Sequence, residues 1–195
     1  MTQALTMAVI VLAAIVIALV VAVFALARQV GILYERIAPM GALMLDAGPK
    51  VGDQAPAFTL PALDGRRIDI GTAAVTATLL FFLSPTCPVC KKLLPILRST
   101  ARSEAAWLRI VLASDGEQAA QEKFYRQSKL EEFPYVLSTE LGLAFKVSRL
   151  PYAVLLDETG RVTAKGLINS REQLESLFTA KELGVSSVQE YLKSA

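Results

Sequence analysis

Along the first part of the chain the polar positions all but vanish. From Ala4 to Ala27 no side chain is charged and only Thr6 is polar, so neither strand alternation nor the stripe of a surface helix can be read there. A helix over this run reaches roughly 36 Å at about 1.5 Å per residue, against a hydrocarbon core of ~30 Å. The pattern predicts an uncleaved transmembrane anchor over residues 1–27, with Ala4 and Ala27 at its apolar limits. Ala25-Leu26-Ala27 has the small-x-small form of a signal-peptide cleavage site, but the run is too long and lacks a basic leader. Residues 28–50 read as a juxtamembrane stalk: Ile32, Leu33, Ile37 and Met40 keep a partly helical pattern, which Pro39, Gly41, Gly48 and Pro49 interrupt.

From residue 51 a different pattern begins and predicts one domain, 51–195. A short strand around Phe58-Thr59-Leu60 turns at Asp64-Gly65 into a second at Arg67 to Ile70. Thr76 to Leu83 is a nearly continuous apolar run, as expected of a central strand covered on both faces. A helix with Val89, Leu93, Leu94 and Leu97 on one side follows, running to about Ser103 and expected to kink at Pro95. Then come a strand at Leu108 to Leu112, a helix from Glu117 to about Gln127, a short strand at Tyr135 to Ser138, and strands Tyr152 to Leu156 and Arg161 to Gly166. Ser170 with Gln173, and Ser187 with Glu190, read as capping boxes for two final helices. Strands alternating with helices, with hairpins at both ends, predict a mixed α/β sheet.

The chemistry is concentrated between the central strand and its helix. The only two cysteines, Cys87 and Cys90, stand there as C-x-x-C. Cys87 is expected at the helix N-terminus, with Pro88 in the first helical position, where a missing N–H costs nothing. The unpaired N–H groups, the helix dipole, Lys91 and Lys92 would all favour a thiolate at Cys87, and Cys90 would be the resolving cysteine. The Pro88-Val89 dipeptide would tune the couple through the helix end. With two cysteines and no histidine a single chain cannot close a structural zinc site, and a c-type haem would need histidine where Lys91 stands. Two thiolates alone could hold Cu(I), and two inert core cysteines are the other plain alternative.

Composition adds little beyond this. A net charge of +2 on 195 residues, with Lys and Arg scattered, does not suggest nucleic acid, and no cofactor is expected. Arg28 and Arg36 after the apolar run would weakly place the domain in the cytoplasm. A lone redox dithiol fits the oxidising periplasm better, so the expectation is a single-pass inner-membrane protein with a periplasmic C-terminal domain.

The strand, the C-x-x-C opening a helix, Pro95 and the later pair Leu150-Pro151 resemble a thioredoxin fold. Val51-Gly52-Asp53-Gln54-Ala55-Pro56-Ala57-Phe58-Thr59-Leu60 with Asp64-Gly65 is similar to the start of the TlpA/ResA-like branch. Ser84-Pro85-Thr86-Cys87-Pro88-Val89-Cys90-Lys91, the anchor and the stalk with Glu35-Arg36-Ile37-Ala38-Pro39 resemble the MauD family of methylamine utilisation accessory proteins. That resemblance implies thiol–disulfide exchange at Cys87 and Cys90 during maturation of periplasmic methylamine dehydrogenase, with its disulfide-rich small subunit as partner. It also implies a cis Pro151, which alone would be expected trans, standing against the disulfide where a substrate backbone approaches; Leu150 before it offers no hydrogen-bonding side chain. Phe81 and Leu93 occupy the positions where many relatives of this fold keep a buried carboxylate. Two readings therefore stay open beside the oxidoreductase: a non-catalytic membrane-tethered assembly factor, and a generic TlpA/ResA-like reductase. Neither the direction of electron flow nor the membrane redox partner can be read from the residues.

Overall fold

The structure, a computed structural model, describes residues 2–36 and 48–183. The chain divides into two compact units, Met1–Met44 and Leu45–Ala195. In the first, α1 is a helix over Thr2–Arg36. Among the described residues no helix is long and apolar enough to cross a membrane. The backbone of α1 is continuously helical, and the expected anchor is not shown. Residues 37–47 of the stalk and the Ser187/Glu190 cap lie outside the described residues.

In the second unit β1 (Phe58–Pro61) and β2 (Arg67–Ile70) form an antiparallel hairpin. Gly65 takes the left-handed φ of 85° that its turn requires. The main sheet has the order β5-β4-β3-β6-β7. β3 (Ala77–Phe82) lies at its centre, parallel to β4 (Leu108–Ser114) and antiparallel to β6 (Tyr152–Leu156). β5 (Tyr135–Leu137) adds in parallel at one edge and β7 (Val162–Leu167) antiparallel at the other. All six residues of β3 are buried, which is why that strand carries no alternation.

Successive β3 side chains enter two cores. Leu79 and Phe81 pack with α2 (Pro88–Ser103), with Phe124 and Tyr125 of α3 (Gln118–Gln127) and with Leu174 and Leu177 of α5 (Arg171–Leu183). Leu80 and Phe82 pack on the other face with Ile68 and Ile70 of the hairpin and Leu141 of α4 (Thr139–Ala144). Between residues 51 and 183 the expected strands and helices are found within a residue or two of their bounds, and α2 continues through Pro95. α4 was not expected. The Ser170 cap forms at the start of α5, its hydroxyl accepting from Gln173 N–H at 3.4 Å; Gln173 Oε1 accepts from Asn169 N–H at 2.6 Å instead of from Ser170.

Candidate redox site

The end of β3 delivers the chain into a short, self-bonded turn. Ser84 and Thr86 hydroxyls lie 3.0 Å apart, Thr86 N–H donates to Ser84 Oγ at 3.3 Å, and Cys87 N–H donates to the Ser84 carbonyl at 3.1 Å. The turn leaves Cys87 extended, with φ −82° and ψ 110°, as the N-cap of α2, and Pro88 follows at the first helical position. Cys87 Sγ accepts a hydrogen bond from Cys90 N–H at 3.1 Å, so the sulfur takes the place usually held by a serine or aspartate oxygen. That N–H and the N-terminal end of the helix dipole both favour negative charge on this sulfur.

Cys90 has a different environment. It belongs to the buried stripe Cys90, Leu93, Leu94 and Leu97 of α2, spaced i, i+3, i+4 and i+7, and is 0% exposed. Cys87 is half-buried, Pro88 exposed, Val89 half-buried against the core and Lys91 exposed. The two cysteines form a disulfide with Cα atoms 5.3 Å apart. Pro151 follows a cis peptide bond from Leu150 and is buried at the start of β6. Because Phe82 pairs with Tyr152, the end of β3 that leads to Cys87 and the beginning of β6 that follows Pro151 lie side by side. Cys87, Cys90, Pro88, Val89 and the Leu150-Pro151 pair thus gather at one end of the two central strands, with Lys91 one residue further into α2. Ala4 and Ala27 belong to α1, in the other unit.

The Redoxin family model matches residues 50–181. The methylamine utilization protein MauD of Paracoccus versutus is 47% identical over 174 residues, 89% of this chain and 87% of that protein. The chain belongs to the MauD family, within the Redoxin family. It is also similar to the thiol-disulfide oxidoreductase ResA of Bacillus cereus, 28% identical over 65% of this chain and 75% of that one. The crystal structure of StoA from Bacillus subtilis aligns with a TM-score of 0.55 and 27% identity, covering 63% of this chain and 96% of the other. The fold is thioredoxin-like.

In this MauD-family site Phe81 and Leu93 are 0% and 2% exposed, so buried apolar side chains fill both positions. Among the described residues no group of His, Cys, Asp and Glu is placed to hold a metal ion. Trp107 is away from the motif in chain order, edge-on to Phe178 at 5.4 Å and donating from its indole nitrogen to Glu104 at 2.8 Å. Sequence reasoning missed the hydroxyl bonding of the Ser84–Thr86 turn. Two hydroxyl residues around a proline were the available signal.

Proposed function

We propose that this protein is a membrane-anchored periplasmic thiol–disulfide oxidoreductase, assisting disulfide formation or isomerisation while the methylamine dehydrogenase small subunit matures. The observation that carries this reading is the asymmetry of the couple: Cys87 is a half-buried helix cap holding an N–H on its sulfur, and Cys90 is fully buried one turn later. A substrate thiolate attacks Cys87 Sγ, the Cys87–Cys90 bond breaks, and Cys90 leaves with the electron pair. A second substrate thiolate then attacks the substrate sulfur of the mixed disulfide and releases Cys87. The same steps in reverse reduce or isomerise. Similarity to methylamine utilization proteins supports the pathway, and the uncharged run Ala4 to Ala27 on a continuous helix supports the anchor.

Replacing Cys87 with serine is expected to abolish exchange, while Cys90→Ser traps the mixed disulfide. If Cys87→Ser assembles active dehydrogenase as well as wild type does, the enzymatic reading is wrong. A glutathione titration gives the direction: a midpoint near about −120 to −180 mV marks a disulfide donor or isomerase, and one near about −270 mV a reductase. A reporter fused after Ala195 that is active only in the cytoplasm overturns the periplasmic placement. The tethered assembly factor is the second reading, favoured by Phe81 and Leu93 at the carboxylate positions; full complementation by the double serine variant would establish it.

A further inference from the structure

Two prolines, Pro85 and Pro88, stand on either side of Thr86-Cys87, and neither has an N–H to donate. Between Ser84 and the first residue of α2 the chain therefore has two backbone donors to place, those of Thr86 and Cys87, and Ser84 takes both. Its Oγ accepts from Thr86 N–H at 3.3 Å, and its carbonyl accepts from Cys87 N–H at 3.1 Å. The Thr86 hydroxyl closes the arrangement, 3.0 Å from Ser84 Oγ. Leu83 is still tied to the sheet, its N–H donating to the Ala113 carbonyl at 3.0 Å, so Ser84 is held at the strand end and the turn is built on it.

These bonds fix the peptide planes on both sides of Thr86, and with them the backbone that carries the reacting sulfur. Cys87 has φ −82° and ψ 110°, and from that backbone its Sγ accepts the Cys90 N–H at 3.1 Å. A hydrogen bond to an ionised acceptor is roughly twice as strong as one to a neutral acceptor, so this N–H favours the thiolate over the thiol. A turn free to shift would carry the Cys87 side chain off the helix end and weaken that preference. Lys91 and Lys92 on α2, Asp115 after β4, and Lys146 and Arg149 before the cis proline are the charged side chains of the segments that meet here. Every variant below keeps all five.

We propose that Ser84 is a positioning residue of the redox couple, its hydroxyl holding the turn, with Thr86, in the shape that keeps Cys87 Sγ on the Cys90 N–H. The proposal rests on the exchange activity argued for Cys87.

The test uses the full-length chain carrying Cys90→Ser, which retains the backbone N–H of that residue, reduced and mixed with the symmetric disulfide of thionitrobenzoate. Cys87 thiolate attacks one sulfur of the reagent and its S–S bond breaks. One thionitrobenzoate leaves as the coloured thiolate and the other stays on Cys87 as a mixed disulfide, with no net oxidation. The rate of colour release against pH follows the thiolate fraction of Cys87. Adding Ser84→Ala is expected to raise the midpoint of that profile by about half a unit or more. Release then slows on the acid side but not on the alkaline plateau, because a thiolate of higher pKa is the stronger nucleophile. Ser84→Thr restores the hydroxyl and is expected to restore the profile. Thr86→Val, which leaves Ser84 Oγ its bond from the Thr86 N–H, is expected to shift the midpoint the same way by less, and it carries the test should Ser84→Ala not fold by circular dichroism. An unchanged midpoint in folded Ser84→Ala, or in Thr86→Val where it stands in, overturns the positioning role while leaving exchange intact. So does a shift in Ser84→Thr as large as that in Ser84→Ala. No release from the Cys90→Ser chain at any pH overturns the exchange reading, and the role of Ser84 with it.

Discussion

Reducing the Cys87–Cys90 disulfide, with every other contact left in place, isolates how far this bond holds the domain together. The cysteines have a sequence separation of 3. Chain entropy assigns a closed loop of about four residues only about 2 kcal/mol of stabilisation at 25 °C. The cap that Cys87 Sγ makes on α2 is present in the oxidised form, so keeping it on reduction adds nothing to the loss. The net loss on reduction is therefore expected at or below about 2 kcal/mol, a fall in Tm of at most roughly 4–8 °C for a domain of this size. Thermal unfolding of the full-length chain, oxidised and with a phosphine reductant, measures it. A loss above about 4 kcal/mol, or unfolding on reduction, would make the disulfide a structural staple and remove the argument that both redox states are working forms.

Two further outcomes concern the scaffold. Gly160→Ala is expected to lower the urea midpoint clearly, since its Cβ would stand 2.6 Å from the Gly71 backbone at a φ of +82°; an unchanged midpoint would mean that the Gly71–Gly160 approach is loose. Burial pushes the phenol of Tyr135 up to about 12, while an unfolded tyrosine titrates near about 10. Its contribution is thus whole below pH ~10 and lost as pH rises towards ~12. Tyr135→Phe should flatten that alkaline decline. It should also cost about 1–3 kcal/mol at neutral pH, because Gln121 Oε1 loses the hydroxyl donor now 2.5 Å away.

What was legible in the chain was what neighbours in sequence decide. β3 follows from an unbroken apolar run, the cap at Cys87 from a strand, a turn and a proline, and the burial of Cys90 from its spacing to Leu93, Leu94 and Leu97. α4 escaped notice because it is six residues long with one buried side chain, Leu141, and so has no period to read. Its signal, Ser138 accepting from Leu141 N–H at 3.1 Å, falls inside the stretch expected to be strand. Pairings across elements were equally hidden. Tyr135 meets Gln121 only because β5 lies beneath α3. Arg109 is half-buried in β4, and its Nη2 donates to the Asp69 carbonyl at 3.1 Å and to Thr78 Oγ1 at 3.2 Å.

The filled positions at Phe81 and Leu93 bear on kinetics more than on direction. When a mixed disulfide on Cys87 is resolved, Cys90 must lose its proton in apolar surroundings at 0% exposure, with Phe81 and Leu93 offering no acceptor. When Cys90 is the leaving group it must form the same thiolate in the same place. By microscopic reversibility the missing acceptor slows both directions alike, so it cannot by itself make the protein an oxidant or a reductant. The bond exchanges at Cys87 need no such acceptor. When the protein reduces a substrate disulfide, resolution by Cys90 is therefore expected to limit turnover, and a Cys87 mixed disulfide should accumulate even in the wild-type protein, decaying faster as pH rises because hydroxide can serve as the acceptor. Acid quenching during turnover followed by intact-mass measurement reads the trapped fraction directly. If none accumulates and the rate is flat between about pH 6 and 9, another group takes the proton, and the apolar surroundings of Cys90 open during catalysis to admit it.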